Sequence, residues 1–344
     1  MYSGADFSVT PRPQYWADWQ KKPECYSQPA YLRDQLQQEL GTFPLFDFWG
    51  PKTTIKSSKW IADASKLVHQ WQNPTLMLVY LPHLDYCCQK FAPGSPEIQK
   101  DLKEIDAVCE DLIGFFEARG VTPIVVSEYG ITPVNHPIHI NRILRDSGYI
   151  TIREERGLEL LDAGQSLAFA LADHQIAHVY VRNPEKINVV KTILEQVPGI
   201  ELVLDEAGKK EYNINHERAG ELICIADKNS WFTYYYWKDD NRAPDFARTV
   251  DIHKKPGYDP VEMFLDPHKK MMLPRIALKL LRKKVGFRTL MDVIALDAGL
   301  VKGSHGRIAV EDTDKPLLIS PLDTAQKINA TEVCPIILNA IFGE

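Results

Sequence analysis

The sequence predicts an α/β fold with a mostly parallel sheet and helices on both faces. Short apolar runs that are typical of buried strands alternate with amphipathic helical segments between residues 75 and 237. Several of these runs are apolar without interruption, as in strands that are covered on both faces. The chain has 344 residues, of which 44% are hydrophobic. That is enough for one large α/β domain with insertions, or for two domains.

The first elements predict a βαβ unit. Residues 1–70 are rich in proline, aromatic and polar residues and predict an irregular segment or partial cap. The α/β core is predicted to occupy 71–237 and to open with a buried strand at "TLMLVYLP" (75–82). Next come helix-start residues at 95–97, apolar residues at helical spacing, and the apolar run 121–126. A strand, a helix and a second strand in this order predict parallel pairing with a right-handed crossover.

The remaining core elements follow in the same alternating order. The patterns predict helices over 135–148 and from Pro184 onward, and strands over 176–182, 199–204, 220–227 and 231–237. Residues 238–300 break the alternation and predict an insertion or cap that contains a basic helix. Residues 301–344 are predicted to return to the core and to end on an apolar helix.

Composition argues against several functional classes. The net charge is −6 and the pI is about 6.0, so a global basic field for a nucleic-acid duplex is lacking. The six cysteines form no CxxC pair and no zinc-type spacing, which favours a reducing, cytoplasmic location. No run of eighteen apolar residues and no signal-peptide pattern is present. Glycine motifs of nucleotide-binding loops and the GxSxG motif are also missing.

Two carboxylates and one histidine occupy positions at predicted sheet edges. Asp85 follows the first strand, Glu128 follows the second, and His305 lies in "GSHG" (303–306), where glycines let the backbone bend tightly. Ligands in open α/β sheets bind at such edges. Oxygen and imidazole donors suit zinc or manganese, so the three residues predict a metal site. The alternative for each is ordinary: a turn or cap aspartate, an exposed glutamate and a loop histidine.

His83 is a further neighbour of this predicted site. It lies two residues before Asp85 and would point to the same side if the segment were extended. A packing role, or support of a ligand, is the simpler interpretation for His83.

Three short motifs, in this order, resemble one protein family. They are "DYCCQ" (85–89), "SEYG" (127–130) and "GSHG" (303–306). The sequence resembles the type I phosphodiesterase / nucleotide pyrophosphatase family of the alkaline phosphatase superfamily, whose motifs are Asp-x-x-x-His, Ser-Asp-His-Gly and Gly-x-His-Gly. "GELICIADKNSWF" (220–232) and "ATEVCPIILNAIFG" (330–343) resemble its late strand and final helix. The resemblance covers about 70–237 and 301–343.

The resemblance implies an alkaline-phosphatase-like fold, two metal ions and a hydroxyl nucleophile that forms a covalent phospho-intermediate. Asp85 and His305 match metal ligands, and Glu128 stands at the position of an aspartate ligand. Gln89 and Tyr129 stand where the family has histidine ligands, and both are poor replacements for imidazole. The family's first strand, with an aspartate and the nucleophile, has no counterpart in the motifs found here, so no catalytic residue is assigned.

Three functions are compatible with these observations. The favoured one is a metal-dependent phosphoester hydrolase that acts on a small phosphorylated substrate and whose activity in this chain is weak or absent. The second is a non-catalytic relative that binds a phosphorylated ligand, and the third is a related metal-dependent phosphotransferase or mutase.

The stretch "HKKMMLPRIALKLLRKKVGFR" (268–288) carries eight lysines and arginines in an otherwise acidic protein. Pro274 predicts the first turn of a helix that ends near Lys284. A solvated helix packed on the domain is one interpretation. The other is a surface helix that meets an anionic membrane through its apolar face and its positive charge.

Overall fold

The computed structural model describes residues 3–17, 21–309, 311–322 and 324–343. Its α-helices, in chain order, are α1 Ala30–Leu40, α2 Lys56–Gln72, α3 His83–Phe91, α4 Ile98–Glu117, α5 Ile140–Asp146, α6 Ile187–Glu195, α7 Glu206–Glu211, α8 Met272–Lys284 and α9 Val333–Phe342. Its strands are β1 Ser8–Pro11, β2 Gln14–Tyr15, β3 Lys21–Lys22, β4 Cys25–Gln28, β5 Val125–Val126, β6 Thr132–Pro133, β7 His136–Ile138, β8 Ile152–Glu155, β9 Leu158–Leu161, β10 Ala168–Asp173, β11 Ile176–Val181, β12 Ile200–Leu204, β13 Leu222–Ala226, β14 Ser230–Phe232, β15 Gly303–Ser304 and β16 Leu318–Ile319.

The largest sheet has four strands in the order β10-β11-β13-β12, and all its ladders are antiparallel. The predicted mostly parallel sheet is therefore wrong for this part of the fold. The reason lies in a strand that the sequence patterns missed, β10. It pairs Asp173 with Ile176, so only His174 and Gln175 join β10 to β11. A two-residue connection makes a hairpin and is far too short for a parallel crossover.

Among the described strands, parallel pairing occurs once, between β7 and β14, where Ser230 pairs with His136. The other ladders are short and antiparallel, including β15 with β6 and β16 with β5. Helices and strands are interspersed along the chain, so the α/β class is correct, but the sheets are small.

The core of the molecule has two large apolar clusters. One is formed by the four-stranded sheet with α5 and α6, and includes Val179, Leu194 and Cys224. The other contains the buried aromatic run 234–237 together with residues from 243–301. Of the predicted strand 231–237, only 231 and 232 belong to a ladder, as part of β14, and residues 233–237 are buried without forming a strand. Residues from both sides of position 237 therefore share one apolar cluster, which anchors the region predicted as a cap.

The predicted buried strand at 75–82 is wrong. It has no ladder partner among the described residues, and from residue 76 to residue 81 every second side chain is exposed to solvent, whereas those between them are half-buried. Leu76, Leu78 and Tyr80 are 50%, 83% and 58% exposed. The run 121–126 forms only the two-residue strand β5, which pairs antiparallel with β16 rather than with 75–82. The helix between them, α4, is confirmed, with a buried apolar face.

The two late helices are confirmed and lie at the surface. α8 begins two residues before the predicted start at Pro274 and ends at Lys284 as expected, and no described residue of it is buried. α9 is also without buried residues. In the described part of the chain, no helix has both the length and the apolar character that a membrane span requires.

Candidate functional site

Asp85 lies in the first turn of α3, the helix that begins directly after Pro82. Gln89 follows one helical turn later on the same face, and its Nε2 donates a hydrogen bond of 2.7 Å to Asp85 Oδ2. The Tyr129 hydroxyl donates to Asp85 Oδ1 at 3.3 Å. The two carboxylate oxygens therefore both accept hydrogen bonds from neutral side chains, inside a pocket that leaves Asp85 only 13% exposed.

His305 reaches the same carboxylate from the other end of the chain. Its Nε2 lies 3.8 Å from Asp85 Oδ1, and Tyr129 stacks on its ring with centroids 3.6 Å apart and planes 4° apart. Gly303 lies against the Cys88 carbonyl of α3, where a Cβ would come within 2.2 Å of the oxygen. Gly306 has φ +105°, a conformation that favours glycine. The two glycines thus allow the loop to lie close to α3.

Burial sets the charges of this pair. Burial raises the pKa of Asp85 to about 6, the hydrogen bonds from Gln89 and Tyr129 lower it, and the charge of Glu128 raises it. Burial also lowers the pKa of His305 to about 4, so the imidazole is neutral near pH 7. A neutral imidazole is the form that binds metal.

Glu128 and His83 do not contact Asp85 in the way that the sequence suggested. Glu128 is exposed, although its charge is near enough to act on the pKa of Asp85. His83 faces α4, where its Nε2 lies 2.9 Å from Asp101 Oδ1. The segment is helical rather than extended, and two residues on a helix are about 200° apart, so His83 and Asp85 point to different sides.

His174 is a site residue that the sequence patterns did not reveal. It occupies the β10–β11 hairpin loop with φ +55°, and its ring lies 3.9 Å from that of His305 and 4.5 Å from that of Tyr258. Complete burial and the neighbouring His305 hold the pKa of His174 well below its ordinary value. A histidine at a hairpin loop carries no local signal of function, because the contact depends on the fold.

The same hairpin positions the His305 loop through the backbone. The Gln175 amide donates to the His305 carbonyl at 2.8 Å. The Arg307 amide in turn approaches the Gln175 side-chain oxygen at 3.4 Å. The hairpin loop thus fixes the segment that carries the histidine.

The donor set fits a metal ion only in part. Asp85 and His305 offer one carboxylate and one neutral imidazole in contact. In the described residues, the set of three metal-type side chains with donor atoms within 4.8 Å of one another is His83, Asp101 and Glu104, not the predicted trio. The Gln89 Oε1 and His174 Nδ1 atoms are buried without a hydrogen-bond partner. The pocket therefore contains two polar atoms that the protein's own side chains leave without a hydrogen-bond partner.

Comparison with solved structures gives distant similarities. Phosphonoacetate hydrolase from Sinorhizobium meliloti 1021, in complex with phosphonoformate, is 14% identical at a TM-score of 0.48, and the match covers 84% of this chain and 57% of that one. Murine ectonucleotide pyrophosphatase / phosphodiesterase 5 is 13% identical at a TM-score of 0.41, over 75% of this chain and 51% of that one. This chain therefore spans little more than half the length of either.

Sequence comparison is more informative. An uncharacterized pyrophosphatase/phosphodiesterase of Schizosaccharomyces pombe is 33% identical over 66 residues, which is 18% of this chain and 14% of that protein. Residues 1–259 match the type I phosphodiesterase / nucleotide pyrophosphatase family. The match includes the first 69 residues, which the motifs alone had left out, and ends before the "GSHG" motif. Because it spans about three quarters of the sequence, the chain belongs to the type I phosphodiesterase / nucleotide pyrophosphatase family.

Proposed function

We propose that this chain is a metal-dependent phosphoester hydrolase of the phosphodiesterase type, acting on a small phosphorylated substrate. We further propose that its hydrolytic activity, as the chain stands, is weak or absent. One observation carries the proposal: Gln89, Tyr129 and His305 meet around the Asp85 carboxylate. These four are motif positions for which the family resemblance implies metal ligands.

Metal dependence is general in this family, and zinc or manganese suits the donors. In this proposal Asp85 and His305 hold one divalent ion, which when bound polarises a phosphoryl oxygen. His305 presents a neutral ring because burial keeps its pKa at about 4. Tyr129 orients both ligands, since it stacks on His305 and donates to Asp85.

The weak or absent activity follows from the same contacts. Gln89 and Tyr129 carry no charge and already occupy both oxygens of Asp85, so an ion competes with two hydrogen bonds. Among the contacts of the described residues, no serine or threonine hydroxyl bonds to Asp85 or His305, so this part of the chain offers no activated nucleophile.

A second candidate is a non-catalytic relative that binds a phosphorylated ligand. The unpartnered Gln89 Oε1 and His174 Nδ1 favour it, because a bound polar group could satisfy buried atoms without any chemistry. The two candidates differ in their dependence on metal, and this difference determines the test.

The test measures thermal stability and turnover on metal-stripped protein. Zinc or manganese should raise the unfolding midpoint of the wild type, because a ligand that binds only the folded state stabilises it. Asp85→Asn should abolish the part of this rise in the midpoint that comes from an ion at Asp85. Asp106→Asn, which changes an exposed carboxylate, should keep the full rise. Turnover of nitrophenyl phosphate esters and diesters should remain near background with either metal.

Two results would contradict the proposal. Metal-independent tight binding of a phosphorylated ligand, with the same affinity in Asp85→Asn, would favour the non-catalytic relative. Robust metal-dependent turnover by these 344 residues would overturn the proposal of weak activity and indicate a nucleophile other than a hydroxyl bonded to Asp85 or His305.

A further inference from the structure

We propose that His83, Asp101 and Glu104 form a second divalent-cation site, separate from Asp85, that links α3 to α4. One donor atom of each residue lies within 4.8 Å of the others. His83 Nε2 is 2.9 Å from Asp101 Oδ1 and 3.7 Å from Glu104 Oε2. Asp101 and Glu104 are one helical turn apart, so both carboxylates lie on the face of α4 that meets α3.

The burial of the His83 imidazole and its missing hydrogen bond indicate that it binds a ligand. His83 is only 4% exposed, and its buried Nε2 has no hydrogen-bond partner although it lies close to Asp101. The two atoms, His83 Nε2 and Asp101 Oδ1, are therefore at the distance of a hydrogen bond but do not have the angles of one. A buried, unpartnered nitrogen facing two carboxylates is costly as it stands, and a cation between the three groups would satisfy all of them.

The spacing of the donors suits a small transition metal. With bonds of about 2.1 Å, neighbouring ligands of a tetrahedral zinc ion lie ~3.4 Å apart. The distances of His83 Nε2 from the two carboxylates, 2.9 and 3.7 Å, lie on either side of that value. An imidazole with two carboxylates favours zinc or manganese, whereas calcium and magnesium prefer oxygen ligands alone.

The surroundings hold the helices together and leave the carboxylates accessible. The apolar side chains of Leu84, Cys87 and Ile98 pack together where the two helices meet. The Asp101 and Glu104 side chains are 25% and 33% exposed, so an ion can reach them from solvent. Lys100, 3.6 Å from Glu104, offsets part of their negative charge.

A cation bound by these three residues would influence the Asp85 pocket through α3. His83 is two residues before Asp85 in the first turn of that helix, so a metal bridge to α4 would fix the end that carries the Asp85 carboxylate. We assign this ion a positioning role and no contact with the reacting atoms, since His83 and Asp85 point to different sides of α3.

The experiment counts bound metal on full-length, chelator-treated protein by equilibrium dialysis and calorimetry with Zn²⁺ and Mn²⁺, and by the visible absorption of Co²⁺. The double variant Asp101→Asn/Glu104→Gln keeps the shape of both side chains. It should lose one equivalent of metal, or bind it at least a hundredfold more weakly, and His83→Gln should lose the Co²⁺ absorption of that site. Asp85→Asn should retain this equivalent, which separates the proposal from the proposed function.

A matched control is Asp106→Asn/Glu110→Gln, which removes two exposed carboxylates from the same helix and should bind metal like the wild type. The proposal is overturned if the wild type binds no equivalent that depends on these residues. It is equally overturned if Asp101→Asn/Glu104→Gln binds within twofold of the wild type, or if Asp85→Asn and the double variant lose the same single equivalent.

Discussion

At Asp85, two neutral side chains supply hydrogen bonds with which a metal ion would have to compete. Gln89 and Tyr129 each donate to one oxygen of the carboxylate. In water these bonds would be worth little, but in a buried site the loss of a partner is expensive. The identity of residues 89 and 129 therefore determines whether the pocket favours a cation or its own hydrogen-bond network.

Restoring the histidines implied by the family resemblance should convert this network into a metal site. In Gln89→His/Tyr129→His, two imidazoles would stand beside Asp85 and His305, which gives four metal-type donors around one point. We expect zinc affinity to rise at least tenfold over the wild type, measured by competition with a chelating dye. Loss of the Tyr129 stack on His305 makes some destabilisation of the metal-free protein expected as well.

The control for this change is Gln89→Asn/Tyr129→Phe, which removes the same hydrogen bonds without adding a ligand. If it gained as much zinc affinity as the histidine variant, the gain would come from freeing the Asp85 oxygens. The two positions would then not act as ligands.

His139 should make the stability of the protein depend on pH. Burial, and then the charge of Arg142, lower the pKa of His139 to about 4. In the unfolded chain the ordinary value is 6.5. Between these values the unfolded state binds more protons, so the stability that neutral His139 contributes is present above pH 6.5 and is lost as the pH falls toward 4. The difference corresponds to at most about 3 kcal/mol.

We expect His139→Gln to reduce the loss of unfolding free energy between pH 7.5 and pH 4.5 by about 1–2 kcal/mol, measured by urea denaturation. Gln can keep a hydrogen bond to Thr233, whose hydroxyl lies 2.8 Å from His139 Nδ1. The exposed His253, changed to Gln, serves as the control and should leave the pH profile unchanged. Identical profiles for the wild type and His139→Gln would contradict the burial argument.

At the scale of elements, α8 shows an apolar surface that the core does not use. Ile276 packs against the apolar cluster that contains the aromatic run 234–237, whereas Leu280, Leu281 and Val285 are 53–62% exposed. Two of its cations, Arg275 and Lys279, pair with Asp292. The last turn carries Arg282, Lys283 and Lys284 beside the exposed leucines. Apolar contact and positive charge together favour an anionic membrane surface.

We expect the protein to sediment with vesicles that contain phosphatidylserine and not with neutral vesicles, more strongly at low than at moderate salt. Lys283→Glu/Lys284→Glu should reduce the bound fraction several-fold. Lys186→Glu/Lys210→Glu, which changes the same charge at exposed positions elsewhere, should have a smaller effect. Equal and negligible binding to both vesicle types would leave only the solvated helix.

How well the sequence predicted each element depended on whether its signal is local. α4, α8 and α9 were predicted because capping residues and helical spacing lie within the elements themselves. The segment 75–82 has the pattern of a buried strand, but a strand also needs a partner, and partners are not written in local sequence. β10 was missed because its alternation of Ala with Phe and Leu is weak.

Prediction of the residues around Asp85 likewise depended on whether their signal is local. The motif positions 85, 89, 129 and 305 were found from sequence, and the structure brings them around one carboxylate. His174 was not found, since its position beside His305 depends on the hairpin. The side chain of His83 points toward α4 because residues 83–85 are helical and not extended. Its carboxylate neighbours on α4 could therefore not be inferred from the local sequence pattern.

For the molecule as a whole, the unpaired segment 75–82 is a surface with consequences for solubility. Leu76, Leu78 and Tyr80 line one side of extended chain that has no ladder partner among the described residues. Such edges pair readily with other chains. Leu78→Lys should lower the rate of aggregation at 37 °C, measured by light scattering, with little change in the unfolding midpoint, because the side chain is 83% exposed.

The matched control is Leu273→Lys, the same change at a leucine that is 72% exposed on α8. Because a helix has no free ladder groups, this variant should slow aggregation less. Equal effects of the two variants would attribute the aggregation to general surface apolarity.

The hairpin loop that holds the His305 segment bears on the order of events in folding. Gln175 and Arg307 are 132 residues apart in sequence, and their contact closes a loop of that length. Closing long loops costs entropy that only later contacts offset, so contacts between distant segments tend to form late. We therefore expect the pocket around Asp85 to be assembled after the hairpin and α4. A nascent chain would then complete the proposed site at Asp85 only once synthesis has passed residue 305, which separates the timing of ion uptake at that site from the timing of secondary structure.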